Sequence, residues 1–566
     1  MSYRLQPIIN IASLCAQHGI NRIVLSPGSR VAPLTLAFTR HPKIKAYTIS
    51  DERSAGFIAM GMAQQTDEAV VLACTSGTAA INYGPAIAEA FYQQVPLLII
   101  TADRPPEWVD QQDGQTIRQE RLHLNHTKGN YQLPVDYAHP DSVWHIERTI
   151  SEAINLANAF PKGPVHINAP FREPFYPQEG EASAGKVGKW IEEVAAEPQL
   201  AASVWSGLVN ECQQFKKILI VGGQNRRDTE LDFVLEKLGI PVVSDIISNL
   251  HGVKGSIKHQ DAFLGKGLSD DLKKELQPDL LITFGKSVIS KNLKLYLRAY
   301  RPQQHWHIQP AGQVADVYQS LTKIIRTSPT YFFREFAKRT NVETPDYQQT
   351  WQALDQQVKQ CHLHYFNKSN WSELALVKQL LAKLPDHAQL HLSNSMPVRY
   401  ANLINLESDR EVTVWANRGT SGIDGTNSTS VGHALSNAQL HVLLTGDLSF
   451  LYDRNAFWHN YPLPNLRIVL LNNQGGVIFR MIDGPRKQKE LAEYFVTKQA
   501  LDASNLAKDF GFEYQAMHVS KAVNPPLDWL LAHGQTVKLL EIFTDSQQGQ
   551  ADYLGYKAHI QQLFTR

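Results

Sequence analysis

The sequence repeatedly places a short β-branched run in front of a helical pattern. In its first third, apolar runs at 22–25, 69–73, 96–101 and 164–167 are separated by segments with helical spacing. Strands that alternate with helices run parallel, because each helix carries the chain back to the start of the next strand. Parallel sheets are covered by helices on both faces, which suits such continuous apolar runs. The pattern therefore predicts an α/β fold of doubly wound parallel sheets.

The same alternation recurs in three blocks along the chain. A chain of 566 residues is too long for one core, and domains of about 150 residues each are expected. We predict three doubly wound parallel-sheet domains, with further strands in the second block at 217–221, 241–244 and 280–284, and in the third at 389–392, 412–415, 440–444 and 467–471.

Two changes in composition separate these blocks. Residues 177–202 are rich in Glu, Gly, Ala and Lys with little strand pattern, which is typical of a linker. Residues 327–347 contain the runs TSPTYFF and NVETPDY, which we interpret as a connector. The predicted organisation is a first domain at 1–178, a linker at 179–202, a central domain at 203–345 and a third domain at 346–566.

Composition narrows the classes of partner. There are 55 basic and 54 acidic side chains, so no global charge attracts nucleic acid. No apolar run approaches about 18 residues, and the N-terminal segment has no export pattern, so we expect a cytoplasmic protein without a membrane partner. Scattered cysteines argue against a zinc site or a disulfide framework; they are Cys15, Cys74, Cys212 and Cys361.

The most informative motif is a pair of polar strand ends in the third block. Gly446-Asp447 follows one apolar run, and Asn472-Asn473 follows the next, leading into a Gly475-Gly476 turn. Adjacent parallel strands end at one edge of a sheet, so a carboxylate and an amide can meet there on a hard cation such as Mg²⁺. Two unrelated β-turns are the alternative interpretation, since Gly, Asp and Asn are common turn residues.

A second motif, Asp51-Glu52-Arg53, stands between a strand and a helix in the first block. A Glu in the first turn of a helix is also favoured by the helix dipole alone. The run Thr75-Ser76-Gly77-Thr78 follows the neighbouring strand, so it is expected at the same sheet edge.

Together these motifs resemble the paired signature of thiamine-diphosphate-dependent enzymes. Further runs, SPGSR, TSGTA, TADRPPE, NSMPVR and NRGTSGIDG, resemble the 2-succinyl-5-enolpyruvyl-6-hydroxy-3-cyclohexene-1-carboxylate synthase family of menaquinone biosynthesis. The resemblance covers both ends of the chain and is weakest in the middle. It implies a pyrimidine-binding domain, a central domain without cofactor and a diphosphate-binding domain.

The resemblance also implies the residues of a cofactor site. Asp447, Asn473 and the carbonyl of Gly475 would ligate Mg²⁺ (or Mn²⁺), which holds the diphosphate. Glu52 would be the catalytic acid that hydrogen-bonds the aminopyrimidine, and Ile423 would support the bent cofactor. The implied thiamine-diphosphate-binding set is Glu52, Thr75, Ser395, Ile423, Gly446, Asp447, Leu448, Asn473, Gly475, Val477 and Ile478.

The implied reaction decarboxylates 2-oxoglutarate and transfers the resulting carbanion to isochorismate. Both substrates carry two carboxylates, and guanidinium suits forked carboxylate recognition. Any one arginine is otherwise a surface ion pair contributing about 0–1 kcal/mol. The implied substrate site comprises Ser29, Arg30, Arg104, Gln115, Lys291, Arg399, Arg418, Ile478 and Phe479.

Two departures from the family pattern, Gln474 and Arg480, flank the implied site. The resemblance further implies a homodimer or a dimer of dimers, with each active site between the first domain of one subunit and the third of another. Two alternatives stay open: a relative of acetolactate synthase or of 2-oxo acid decarboxylases, and a catalytically silent binding subunit.

Overall fold

The computed structural model describes residues 5–177, 185–186, 188–313, 315–342, 344–368, 372–518 and 524–565. The chain divides into two compact units. The first contains Met1–Ala195, Asn417–Ala438 and Ser449–Leu466, and the second contains Ala196–Ala416, Gln439–Leu448 and Arg467–Arg566. No helix in the described part of the chain is long and apolar enough to cross a membrane.

The first unit is built on a six-stranded parallel sheet with strand order β2-β1-β3-β4-β6-β5. Its strands are β1 (Arg22–Leu25), β2 (Lys45–Thr48), β3 (Val70–Cys74), β4 (Leu97–Asp103), β5 (Asn130–Gln132) and β6 (Pro164–Pro170). The helices around it are α1 (Gln6–Gln17), α2 (Ala32–Thr39), α3 (Glu52–Thr66), α4 (Thr78–Asn82), α5 (Gly84–Gln93) and α6 (Pro140–Asn158).

The second sheet has five parallel strands in the order β11-β10-β9-β7-β8. They are β7 (Ile218–Gly222), β8 (Val242–Ser244), β9 (Leu280–Phe284), β10 (Gln304–Ile308) and β11 (Lys323–Ile325). Its helices are α7 (Ala202–Cys212), α8 (Thr229–Glu236), α9 (Gln260–Phe263), α10 (Asp270–Glu275), α11 (Lys291–Ala299) and α12 (Pro329–Arg339).

The third sheet repeats the strand order of the first, as β13-β12-β14-β15-β17-β16. Its strands are β12 (Gln389–Leu392), β13 (Thr413–Trp415), β14 (His441–Gly446), β15 (Leu466–Asn472), β16 (Glu513–His518) and β17 (Lys538–Phe543). The last helices are α13 (Pro345–Lys368), α14 (Glu373–Lys383), α15 (Met396–Ile404), α16 (Thr426–Ala434), α17 (Asp447–Tyr452), α18 (Ile478–Met481), α19 (Ser504–Asp509), α20 (Leu527–Leu531) and α21 (Ser546–Phe564).

Three parallel sheets interleaved with helices confirm the predicted α/β fold class. One apolar core joins the second and third sheets, with Trp351 of α13 and Tyr556 of α21 among its fully buried members. The three-domain division stays a prediction, because one compact unit contains the second block with most of the third, while Asn417–Ala438 and Ser449–Leu466 belong to the other unit. Of the predicted linker, residues 179–184 and 187 lie outside the described residues, and 188–201 form neither helix nor strand.

The interpretation of 327–347 as a connector was wrong for most of its length. Ser328 accepts the Tyr331 amide at 3.3 Å, and Pro329 occupies the first turn of α12. Phe332, Phe333 and Phe336 on one face of this helix are fully buried against the second sheet. Ser-Pro is a helix start here, because proline needs no amide partner in a first turn.

Candidate active site

Two strand ends of the third sheet meet where the sequence pattern predicted. β14 ends at Gly446, and β15, its neighbour in the sheet, ends at Asn472. The buried Asp447 carboxylate accepts the Leu448 amide at 2.8 Å and the Gly475 amide at 2.7 Å. The loops after the two strands are therefore joined through one carboxylate.

Asn473 directly follows the last residue of β15 and is also buried. We call the strand ends that carry Asp447 and Asn473 the carboxylate edge of the third sheet. Its Nδ2 donates to Oε1 of Glu373 at 3.0 Å, and Thr544 Oγ1 donates to the same oxygen at 2.6 Å. Oδ1 of Asn473 and Oε2 of Glu373 are buried without a hydrogen-bond partner among the described residues. A buried oxygen without a donor is a site for a cation or for a donor from a ligand.

Electrostatics at this edge favour the arrival of positive charge. Burial raises the pKa of Asp447 to about 7, although the Leu448 and Gly475 amides oppose this, and the Glu373 carboxylate adds to the rise. Burial and a nearby carboxylate both disfavour ionisation of Asp447. A divalent cation would relieve this repulsion, and the available ligands are the hard oxygens that Mg²⁺ prefers.

The turn after Asn473 is tightly packed. An added Cβ on Gly475 would lie 2.6 Å from the Val496 carbonyl oxygen, which also accepts the Gly476 amide at 2.7 Å. Val477 is buried, and the Phe479 and Phe495 rings pack with centroids 5.8 Å apart. The turn leads through Val477 into α18, whose first residues are Ile478 and Phe479. Of the two family departures, Gln474 has φ of 61° and Arg480 is half-buried in α18.

Ser395, at the turn from β12 into α15, has φ of 73°, which is rare for a serine. Strained backbone at such a turn is often associated with function. Arg399 donates from Nη1 to the Ser395 carbonyl, and burial lowers the pKa of Arg399, with Tyr553 and Asp261 opposing the shift. Asp261 also accepts Ser290 Oγ at 2.7 Å, directly before Lys291 at the start of α11.

In the first unit, Glu52 is the first residue of α3 and is half-buried. The preceding Asp51 caps this helix by accepting the Ser54 amide at 3.2 Å, and it also accepts Asn455 Nδ2 at 2.7 Å. Thr75 lies against Gly28, where an added Cβ would be 2.3 Å from the Thr75 Cβ. The Thr75 hydroxyl is buried and has no hydrogen-bond partner within the described ranges.

Arg30 is buried rather than exposed on its loop. Its Nη1 donates to the Phe171 carbonyl at 2.9 Å, and its guanidinium lies 4.6 Å from the centroid of the Phe175 ring. Ser29, next to it, is exposed. These two contacts hold one side of the Arg30 guanidinium. Ser29 and Arg30 are adjacent in the loop after β1.

Arg104 and Gln115 belong to the loop after β4. Arg104 pairs with Asp113 at 3.3 Å and donates to the Gly114 carbonyl at 3.0 Å. Gln115 is exposed with φ of 55°, and its Cα would be 3.3 Å from an added Cβ on Gly77. The loop thus folds back over the turn that follows Thr75.

Arg418 and Ile423 occupy a loop of the first unit. Ile423 is 36% exposed, which is unusual for isoleucine, and its carbonyl accepts Ser449 Oγ at 2.6 Å. Beside Arg418, the amides of Gly419 and Thr420 donate to the buried carboxylate of Glu89.

The predicted residues thus fall into two groups, and their roles stay predictions. The first unit holds Ser29, Arg30, Glu52, Thr75, Arg104, Gln115, Arg418 and Ile423, whereas the second holds Lys291, Ser395, Arg399, Gly446, Asp447, Leu448, Asn473, Gly475, Val477, Ile478 and Phe479. Glu373 and Glu89 were missed. A lone Glu in the small apolar run AIAEAF is a signal that would have indicated a buried role for Glu89, whereas Glu373 in an ordinary helix start gave none.

Two protein-family models match the chain. The model described as the N-terminal TPP binding domain of thiamine pyrophosphate enzymes matches residues 10–123. The model described as the middle domain of thiamine pyrophosphate matches residues 184–392. Thiamine pyrophosphate is the same compound as thiamine diphosphate.

Similar proteins match along nearly the full length. One from Cytophaga hutchinsonii is 44% identical and covers 99% of this chain and 100% of its own. Others from Flavobacterium johnsoniae and Desulfotalea psychrophila are 39% and 37% identical, covering 94% and 95% of this chain and 95% and 98% of their own. All three are named 2-succinyl-5-enolpyruvyl-6-hydroxy-3-cyclohexene-1-carboxylate synthase. Because these relatives are 37–44% identical and their alignments cover at least 94% of this chain, the chain belongs to the family of these synthases, within the thiamine-pyrophosphate-dependent enzymes.

Proposed function

We propose that this chain decarboxylates 2-oxoglutarate and adds the remaining succinyl unit to isochorismate, giving 2-succinyl-5-enolpyruvyl-6-hydroxy-3-cyclohexene-1-carboxylate and CO₂ in menaquinone biosynthesis. The observation that carries this proposal is the 44% identity over 99% of the chain to a relative of that name. The reaction makes the enzyme a transferase that forms a carbon–carbon bond.

The metal part of the proposal rests on the carboxylate edge of the third sheet. Asp447, Asn473 Oδ1 and the Gly475 carbonyl would hold Mg²⁺ or Mn²⁺, and the unpartnered, buried Oδ1 supports this fit. Gly446, Leu448, Ser395, Val477 and Ile478 would line the cofactor around it. Bound thiamine diphosphate supplies the electron sink for decarboxylation, and the metal neutralises its diphosphate.

Glu52 is proposed to hold a proton at the pyrimidine ring of the cofactor. A half-buried carboxyl at a helix start is accessible to a ligand while its backbone stays fixed by the Asp51 cap. The buried Thr75 hydroxyl and the exposed Ile423 side chain would contribute polar and apolar contacts to the same cofactor.

The arginines are proposed to bind substrate carboxylates. Arg30 is held at Phe171 and Phe175, so its other guanidinium edge can meet a carboxylate without first being ordered. Arg399 loses solvation in its partly buried position, which strengthens attraction to an anion. Ser29, Arg104, Gln115, Lys291, Arg418, Ile478 and Phe479 would complete the substrate contacts.

We further infer a homodimer or a dimer of dimers in the cytoplasm, with Glu52 and Asp447 of one site on different chains. Mixing Glu52→Gln and Asp447→Ala proteins should then restore part of the activity. If heterodimers form, as checked by two affinity tags, and activity stays absent, shared sites are excluded.

The decisive experiment is mass spectrometry of the products formed from 2-oxoglutarate and isochorismate with thiamine diphosphate and Mg²⁺. The proposal expects the succinylated cyclohexene and equimolar CO₂. Glu52→Gln should bind the cofactor but slow turnover by roughly 10²- to 10⁴-fold, the typical contribution of a positioned acid or base. Products from pyruvate alone would favour the acetolactate-synthase-like alternative, and no turnover of any 2-oxo acid would favour a silent subunit.

A further inference from the structure

The loop that carries Arg418 is fastened to α5 by a buried carboxylate. Glu89, which is 1% exposed, accepts the Gly419 amide on Oε1 at 2.7 Å and the Thr420 amide on Oε2 at 2.6 Å. Oε2 also accepts the Thr420 hydroxyl, and Oε1 accepts Gln93 Nε2 at 2.6 Å. Four donors therefore converge on one side chain.

Only a carboxylate satisfies this arrangement. Donors approach both oxygens of Glu89, whereas a glutamine would turn an NH₂ group toward at least one of them. The loop also touches the helix directly, because an added Cβ on Gly419 would lie 2.7 Å from the Glu89 carbonyl oxygen and 3.0 Å from the Tyr92 Cβ. Both the charge of Glu89 and the small size of Gly419 set the position of the loop.

The same carboxylate begins a buried polar chain through three helices. Gln93 accepts Gln64 Nε2 at 3.1 Å, and Gln64 Oε1 is 3.0 Å from His433 Nε2, which links α5 to α3 and α16. α3 and α16 are in backbone contact, since an added Cβ on Gly61 would be 2.2 Å from the Thr429 carbonyl oxygen. The helix that starts with Glu52 and the loop that carries Arg418 are thus connected through one set of buried contacts.

We propose that Glu89 is a positioning residue, which fixes the Arg418 loop so that the Arg418 guanidinium meets its substrate carboxylate. This inference rests on the substrate role of Arg418 under the proposed function. If the loop moved away, Glu89 would be left as a buried charge without its amide donors, which is strongly unfavourable. The carboxylate therefore holds the loop in one place and reduces the ordering needed when substrate binds.

The test is a double-mutant cycle on kcat/KM for both substrates. Arg418→Ala should lower kcat/KM for one substrate by roughly 10- to 150-fold, as expected for a lost charge-assisted bond. Glu89→Gln should lower the same parameter by about 10- to 100-fold in the natural background. In the Arg418→Ala background it should add less than about a threefold loss, because its effect passes through Arg418.

A purely structural role predicts a different result. Glu89→Gln would then cause the same loss in both backgrounds, in parallel with a lower unfolding temperature. Glu152→Gln, at an exposed ion pair on α6 of the same unit, is the matched control and should leave kcat/KM unchanged. Thr420→Val removes one donor to Glu89 and should give a small loss of the same kind, which Thr420→Ser should rescue.

If Glu89→Gln does not fold, Gly419→Ala tests the same point, since its methyl group would push the loop from α5. It should show the same non-additivity with Arg418→Ala. Unchanged kinetics in Arg418→Ala would overturn the substrate role of Arg418 and this inference with it. A normal loss in Arg418→Ala with a fully additive Glu89→Gln or Gly419→Ala effect would overturn the inference alone.

Discussion

The second and third sheets each present a buried aspartate directly after a strand, in contrasting surroundings. Asp245 follows β8 and accepts the Ile289 amide, the Ser290 amide at 3.1 Å and Gln260 Nε2 at 2.8 Å. Burial raises the pKa of Asp245 to about 6, and the Asp261 carboxylate adds to the rise, whereas the Ser290 and Ile289 amides and the Lys294 charge oppose it. At Asp447 the Glu373 carboxylate likewise adds to the rise, but the groups that oppose it are backbone amides and not a lysine charge.

The loops at the strand ends of the second and third sheets also differ in how tightly they pack. After β7 and β9, the loops bond to each other: the Gln224 amide donates to the Ser287 carbonyl at 2.8 Å, and the Lys286 amide donates to the Gln224 carbonyl at 2.9 Å. An added Cβ on Gly223 would lie 2.1 Å from the Lys286 carbonyl oxygen. On Gly446, no described heavy atom beyond its chain neighbours would be within 4 Å.

Parallel sheets therefore support two kinds of strand-end edge in this chain. Where the loops satisfy each other, the edge is a structural joint. Where they leave carboxylate and amide oxygens buried together, the edge is suited to a cation and an anionic ligand. The side chains and loops next to each strand end distinguish the two.

The largest expected effect contrasts the two aspartates. Asp447→Ala should weaken Mg²⁺-dependent binding of thiamine diphosphate by roughly 100-fold or more, because the cation loses its anionic protein ligand. Titration of the cofactor against protein fluorescence at fixed Mg²⁺ measures this loss. Asp245→Ala should reduce the unfolding temperature while keeping the cofactor affinity within about threefold. Equal loss of affinity in the two variants would remove the distinction between the edges.

The second largest expected effect is the pH dependence of the free energy of unfolding that arises from Asp245 in the second sheet. The folded pKa of Asp245 is raised from 3.8 to about 6, so folding favours its protonated form. Its contribution is fully present below about pH 4 and is lost as pH rises through about 6, a change of about 3 kcal/mol. Urea unfolding from pH 4 to 7 should show this decline in the natural protein and a smaller one in Asp245→Asn. Identical slopes would show that the Asp245 pKa is not raised on folding.

The smallest effect concerns glycines at the two edges. Gly223→Ala should lower the free energy of unfolding by about 1–3 kcal/mol, because its methyl group would collide with backbone. Gly446→Ala should change it by about 0.5 kcal/mol or less, as for a substitution with open space around it. Denaturant unfolding of both variants compares the closed edge with the open one. If both variants lose the same free energy of unfolding, the surroundings of Gly446 in the third sheet are as tightly packed as those of Gly223 in the second.

The strands predicted from sequence are mainly central, since a strand covered on both faces is a continuous apolar run. The pattern missed β2, β5, β11 and β16, which are edge strands, together with β10 and β17. Edge strands such as Asn130–Gln132 are short and partly polar, so periodicity does not distinguish them from loops. The α12 helix was missed because its Ser-Pro start also fits a turn.

The sequence by itself determined the parallel α/β class and predicted that the strands before Asp447 and Asn473 end at one edge, because parallel strands that alternate with helices end on the same side of a sheet. The sequence motifs also identified the enzyme family. Only the tertiary structure decided which distant side chains complete these groups: Glu373 reaches Asn473 across 100 positions, and Glu89 reaches Gly419 across 330. Such pairs follow from packing of separate helices and loops, and no local spacing encodes them.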